Sequence, residues 1–184
     1  MDEIHKLRKF YQLKNVERVG PVGKRKESPA EHTWSAMILA DFFLSQMKEK
    51  LDRLKVYELL MYHDVVEIET GDVCIDKEDE RACKQVEELK AAKKLKLEFP
   101  KILGKKFYDL FMEFEEQKTR EAKFAKAVEY LDAEIHFLDY KEYWKGWDEE
   151  KVRRLKGIYH KEFAEINEVF EKMLVYAREN GYFG

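Results

Sequence analysis

What most constrains this chain is the spacing of its apolar residues, which recur every three or four positions, while no window alternates apolar and polar over a strand's length. That periodicity predicts helices joined by short loops, an all-α fold. The punctuation agrees. In Ser28-Pro29-Ala30-Glu31 the serine can cap, Pro29 suits the first helical position and Glu31 completes a capping box, so a helix is expected from about Pro29 to Lys48. Asp52 can cap a third helix ending near Asp64, and Asp76 a fourth running to about Phe99, where Pro100 stops it. Thr119 opens the helix that carries Phe124 to Tyr143. Trp147-Asp148 begin a last helix that reaches about Asn180 and ends at Gly181. No repeat, low-complexity tract or Pro/Ser-rich linker divides the sequence, so its 184 residues are expected to form one domain over 1–184.

Composition excludes several classes of function. With 45% apolar and 14% aromatic residues the chain is not disordered, and the lack of any apolar run near ~18 residues argues against a transmembrane span. Met1-Asp2-Glu3-Ile4-His5-Lys6 does not read as a signal peptide, so a cytoplasmic address is expected. Thirty-five basic against 38 acidic residues give a net charge of −3, which offers no global attraction for nucleic acid or an anionic membrane. An anionic ligand must therefore be held locally. Cys74 and Cys83 lack CxxC spacing, and reduced thiols are expected.

The histidines carry the chemistry. His5 and His160 sit in terminal, charge-rich segments and are expected to face solvent. His63 stands beside Asp64 after the apolar run Leu59-Leu60-Met61-Tyr62, and an adjacent imidazole and carboxylate can serve one divalent cation. His32 follows the capping box on an apolar helix whose Ala36, Leu39 and Ala40 suggest that its face is inward. Glu129, Asp132 and His136 fall at spacings of three and four, on one helical stripe. Each piece has a bland reading: a hydrogen-bonded core histidine, a surface His-Asp pair, a solvated acidic face. Jointly they are ligands from three separate helices, which is how metal sites in bundle cores are built. Val19-Gly20-Pro21-Val22-Gly23 and Glu69-Thr70-Gly71-Asp72 place flexible backbone just before and after the His-bearing helices, where loops often rim a site.

Taken together, Ser28-Pro29-Ala30-Glu31-His32, His63-Asp64-Val65-Val66-Glu67 with Gly71-Asp72, and Glu121 through Glu129 with its Lys123-Phe124-Ala125-Lys126 core resemble the successive motifs of the HD-domain metal-dependent phosphohydrolases. The closest resemblance is to the 5′-deoxynucleotidase branch, some of whose archaeal relatives are labelled oxetanocin-like, and it runs from about Leu13 to the Tyr159 region. It implies an all-α HD-domain helical bundle, one divalent cation and hydrolysis of nucleoside 5′-monophosphates, deoxy forms preferred. It further implies that His32, His63 and Asp64 are metal ligands, that Glu67 and Asp72 flank substrate and water, and that Arg18 meets the phosphate. The fourth ligand, an aspartate in the family, aligns with Glu129, while Asp132 one turn later remains the alternative. The aromatic residue that usually follows the arginine is absent, and the loop leading to Glu27 is shorter.

Two imidazoles and two carboxylates leave open positions on an ion such as Co, Mn, Mg, Fe or Ni, and no histidine between Asp64 and Asp132 is available for a second one. Glu67, one turn beyond His63, can orient or deprotonate water. Arg18 offers a permanently charged fork for phosphate, against the bland reading of an ion pair with Glu17 or Asp2. Lys24-Arg25-Lys26 is either a lure for anions or a solvated loop. A homodimer is expected by analogy with related nucleotidases. The rivals are a guanosine-tetraphosphate hydrolase, disfavoured because Ile68 follows Glu67, and a non-enzymatic metal or nucleotide sensor, or a helical protein that dimerises through Phe42-Phe43 and Phe107-Tyr108-Phe111.

Overall fold

In the computed structural model, which describes residues 3–72 and 78–183 with the side chains of 78–83 excepted, helices surround one central helix. Helix α1 (Glu3–Phe10) runs into a 3-10 turn (Tyr11–Asn15) and a two-stranded hairpin, β1 (Pro21–Val22) and β2 (Arg25–Lys26). Then follow α2 (Pro29–Gln46), α3 (Arg53–Tyr62), α4 (Glu67–Thr70), α5 (Glu78–Glu98), α6 (Lys101–Glu116) and α7 (Arg120–Phe137). A second 3-10 turn (Lys141–Trp144) leads to α8 (Glu149–Leu155), α9 (Gly157–His160) and α10 (Ala164–Glu179). The all-α expectation holds, and no helix among the described residues is long and apolar enough to cross a membrane.

The local signals act as read. Ser28 Oγ accepts from the Glu31 amide at 3.4 Å and Glu31 Oε2 accepts from the Ser28 amide at 3.0 Å, the capping box that starts α2. Asp52 caps α3 through the Lys55 amide, and Thr119 caps α7 through Ala122. Asp76 and Cys74 lie outside the described residues, as does the Cys83 side chain.

Helix α7 is the axis of the bundle: α2, α3, α6, α9 and α10 all pack on it. Its Phe124, Val128 and Leu131 are fully buried, together with Ala36 and Ala40 of α2, Val56, Leu59 and Leu60 of α3, and Ile166 and Leu174 of α10. Burying each large apolar side chain stabilises by about 1.5–3 kcal/mol, so this layer holds α2, α3 and α7 at fixed separation. The site depends on that fixed separation. Helix α6 lays Phe107, Leu110, Phe111 and Phe114 against the same core. It crosses α5 so closely that a methyl group at Gly104 would come within 2.2 Å of the Lys96 carbonyl oxygen.

The stretch expected as one last helix from Trp147 is three, with α8 ending at Leu155 and α9 at His160. The breaks let Lys156 and His160 turn inward to Glu134, and Gly157 lets the chain pass the Phe170 ring, to which a methyl there would approach 3.3 Å. His160 is therefore not solvent-facing but completely buried, whereas His5 is exposed. The helix through Phe124 ends at Phe137 rather than Tyr143. Phe43, Phe107 and Phe111, considered as a dimerising surface, are buried in the core, and of that set only Phe42 lies well out in solvent, at 52% exposure. Lys24-Arg25-Lys26 forms the hairpin, where Arg25 pairs with Glu31 and Lys26 Nζ donates to the Val19 carbonyl.

Candidate metal centre

His32 enters from the first turn of α2, His63 from the turn that ends α3, and Glu129 from the middle of α7. Their donor atoms lie within 4.8 Å of one another. Both imidazoles are buried and both are held from behind. His32 Nδ1 donates to Asp132 Oδ2 at 2.9 Å, and His63 Nδ1 donates to the Leu60 carbonyl at 2.6 Å. Each bond assigns the proton to Nδ1 and leaves the Nε2 lone pair turned to the shared point. Among the described residues His32 Nε2, His63 Nε2 and Glu129 Oε2 have no hydrogen-bond partner. Lys126 Nζ comes within 3.3 Å of that Glu129 oxygen and Asp64 Oδ1 within 3.1 Å of His63 Nε2, and two imidazole nitrogens and a carboxylate oxygen converging on one point fit a divalent cation.

Asp64 is drawn to a different neighbour. Its Oδ1 lies 3.1 Å from His63 Nε2, but its Oδ2 takes a hydrogen bond from Arg18 Nη1 at 3.1 Å, and it stands outside the group of three. Arg18 also donates from Nε to Glu27 Oε2 at 3.2 Å, so its partners are the buried Glu27 and the partly buried Asp64, and not the Glu17 or Asp2 of the bland reading. Burial opposes the charge on Arg18, yet Asp64, Asp72, Glu67 and Glu27 outweigh it and raise its pKa. Burial likewise opposes ionisation of Asp64, and His63 and Arg18 overcome it, holding the carboxyl below its usual range. Asp132, in turn, accepts from His32 and from Ser35 Oγ at 2.8 Å, while Glu129 points to the donor group. His136, third on that stripe, stands apart, with Nδ1 3.8 Å from Glu27 Oε1.

Glu67 opens α4 and is 5% exposed, with Oε1 3.6 Å from Lys84 Nζ and Oε2 without a partner among the described residues. Burial first, and then the nearby Asp64 and Asp72, push its pKa well above the ordinary value. A carboxyl so placed holds its proton more tightly than an exposed one, which makes it the stronger base once ionised. Asp72 Oδ2 accepts the Val19 amide hydrogen at 3.2 Å, tying down the loop that carries Arg18.

A cavity of about 220 Å³ opens beside these groups, lined by Arg18, Asp64 and Glu67 at one part and by Phe137, Tyr143 and Trp147 at another. The sequence reading did not single out several charged residues of its wall. Lys126, partly buried one turn before Glu129, reaches 3.3 Å from that carboxylate, which keeps it charged against the cost of burial. Lys84, Glu134 and Lys156 also line the cavity. For Lys126 a signal existed, since it shares the stripe of Glu129 at a spacing of three. For Lys84 and Lys156 no local pattern marks an inward lysine.

Candidate ligands gathered from three helices of an all-α bundle, two imidazoles and a carboxylate with a partly buried arginine beside them, define a class of helical metal-binding protein. The sequence matches the HD domain family over residues 10–172, and the chain belongs to that family. It is 30% identical over 156 residues to the 5′-deoxynucleotidase HDDC2 of Bos taurus, covering 83% of this chain and 72% of the relative, and 27% identical to the human protein of that name over 88% of this chain and 76% of the relative. Among solved structures, a predicted metal-dependent phosphohydrolase from Magnetospirillum magnetotacticum MS-1 superposes with a TM-score of 0.86 at 25% identity, covering 98% of this chain and 96% of that one. A conserved hypothetical protein from Pyrococcus furiosus shares the fold, with a TM-score of 0.65 at 22% identity over 92% of this chain and 98% of its own.

Proposed function

We propose that this protein is a divalent-metal-dependent phosphohydrolase that removes phosphate from (deoxy)nucleoside 5′-monophosphates. The observation that carries this reading is the convergence of His32 Nε2, His63 Nε2 and Glu129 Oε2 on one point, beside a partly buried arginine and a carboxyl of raised pKa at the edge of one cavity. The likeness to the 5′-deoxynucleotidases over most of the chain supports it.

His32, His63, Asp64 and Glu129 hold the ion, with Asp132 steadying the His32 ring. The bound cation supplies charge for a phosphate oxygen and acidity for a water. Arg18 presents its guanidinium fork to the phosphate, a planar and permanent charge that needs no proton from solvent. Glu67 Oε2 accepts the proton of the attacking water, helped by its raised pKa. Asp72 keeps the Val19 loop, and through it Arg18, against the cavity. The chain acts as one HD domain over 1–184 on small-molecule substrates in the cytoplasm, as a homodimer. The exposed apolar stripe on α2 supports the dimer: Trp34, Ile38 and Phe42, one turn apart, are 68, 57 and 52% exposed.

The test is phosphate release from a panel of nucleoside monophosphates, before and after exhaustive chelation and after return of Mn or Co. Activity that vanishes with the metal and returns with it supports the reading. Full activity in chelator refutes the metal dependence, and no release from any monophosphate with any of these metals refutes the hydrolase and favours the non-enzymatic sensor.

A further inference from the structure

The end of the cavity away from the donor group holds a second set of buried charges that the proposed chemistry does not use. Glu134 lies on α7 five residues beyond Glu129, about 7.5 Å farther along the helix axis, and is only 2% exposed. Its Oε2 pairs with His160 Nε2 at 3.2 Å, and His160 is itself fully buried against Phe170, so the carboxylate is braced from behind. Its other oxygen, Oε1, has no hydrogen-bond partner among the described residues, and Lys156 Nζ stands 3.7 Å away, beyond hydrogen-bond distance. Glu134 and Lys156 both line the cavity, and the Trp147 ring lies 5.5 Å from Lys156 Nζ, with Phe137 close by on α7.

A buried ion pair kept for structure alone should close and satisfy its atoms, because a desolvated charge without its hydrogen bonds is costly. This pair is not closed, and both residues line a cavity with aromatic walls. The carboxylate beside the lysine disfavours an anion, and the walls favour a flat ring. The ligand that satisfies such a site carries a donor and an acceptor side by side on one edge of an aromatic ring. We infer that Glu134 and Lys156 form the nucleobase subsite of this cavity, selective for bases that present a ring N–H beside a carbonyl oxygen, guanine foremost and then thymine or uracil. This rests on the nucleotidase reading for the rest of the ligand.

The selectivity follows from the two groups. Glu134 Oε1 accepts the ring N–H, and Lys156 Nζ donates to the adjacent carbonyl. Adenine and cytosine offer a ring nitrogen there, with one in-plane lone pair and less negative charge than a carbonyl oxygen, a poorer partner for a compact ammonium. Guanine adds the larger ring for stacking on Trp147.

Two measurements on the metal-loaded protein test this. One is kcat/KM for dGMP, dTMP, dAMP, dCMP and 2-deoxyribose 5-phosphate, in the wild type, Lys156→Met and Glu134→Gln. The other is tryptophan-fluorescence titration with deoxyguanosine and deoxyadenosine, which carry no phosphate and report binding whether or not hydrolysis occurs. The wild type should favour dGMP over dAMP by about tenfold or more, the usual size of one charge-assisted hydrogen bond. Lys156→Met should lower the ratio of kcat/KM for dGMP to that for 2-deoxyribose 5-phosphate by a similar factor and weaken deoxyguanosine binding in step. A purely structural role would depress both substrates together and leave that ratio unchanged, which overturns the subsite. Equal use of all four bases by the wild type overturns it without recourse to any variant. Absence of hydrolysis with tight, Lys156-dependent deoxyguanosine binding would refute the hydrolase and uphold the subsite. Brisk hydrolysis with base ratios untouched by either substitution would do the reverse.

Discussion

Asp132 accepts the Nδ1 hydrogen of His32 at 2.9 Å, and through that bond it turns the other ring nitrogen toward Glu129 and His63. The two acids of α7 thus hold different positions three residues apart. Glu129→Ala should abolish binding of Mn or Co, whereas Asp132→Ala should weaken it by about 10- to 100-fold, the range for a residue that orients a ligand. Metal titration of the two variants decides the register. Loss of the ion only in Asp132→Ala would reverse the assignment.

Glu67→Gln should lower kcat by about 10²- to 10⁴-fold while metal content stays near one ion per chain, because its role is to take a proton. A turnover close to wild type would move that role to another acid.

The same residue should leave a signature in stability. Burial and the neighbouring Asp64 and Asp72 raise its pKa in the folded state. Above the ordinary carboxyl range the unfolded chain has lost this proton while the folded chain still binds it, so stability declines as pH rises, until the folded pKa is passed. Glutamine carries no such proton. In the metal-free protein Glu67→Gln should therefore raise Tm relative to wild type near pH 8, with the difference shrinking towards pH 5 in a melting series. A gap that widens on acidification would contradict the stated direction.

Arg18→Ala should raise KM for monophosphates and also lower Tm, since it leaves Asp64 and Glu27 buried beside each other without their cation. Arg18→Lys should recover part of both losses, because a point charge lacks the two-pronged geometry. Unaltered KM in both variants would remove Arg18 from the phosphate site.

The α2 stripe predicts a solution mass twice 22.2 kDa by light scattering, and a monomer for Trp34→Glu with activity per chain measured alongside. A mass near 22.2 kDa for the wild type at all concentrations removes the dimer.

Short-range chemistry is legible along the chain. Ser28 and Glu31 close a capping box within four residues, and Asp52 and Thr119 find amides three residues on, so the starts of α2, α3 and α7 are local events. His32, the His63-Asp64 pair and the acidic stripe of Glu129, Asp132 and His136 stood out as candidate ligands by residue type and helical spacing, while the preference for Glu129 over Asp132 came from the family resemblance.

Contacts across long separations are not legible in that way. Whether Asp132 or Glu129 faces His63 depends on the rotation of α7, which is set by Phe124, Val128 and Leu131 packing on α2 and α3 and not by spacing along α7. Arg18 could be read as a surface residue until the fold brought Asp64, 46 residues away, to its guanidinium. His160 and Lys156 lie in a run of charges that resembles any solvated helix. They are buried because Glu134 offers a carboxylate in the core and Gly157 lets the chain bend towards it, and no local pattern can state that a partner 26 residues upstream will be waiting.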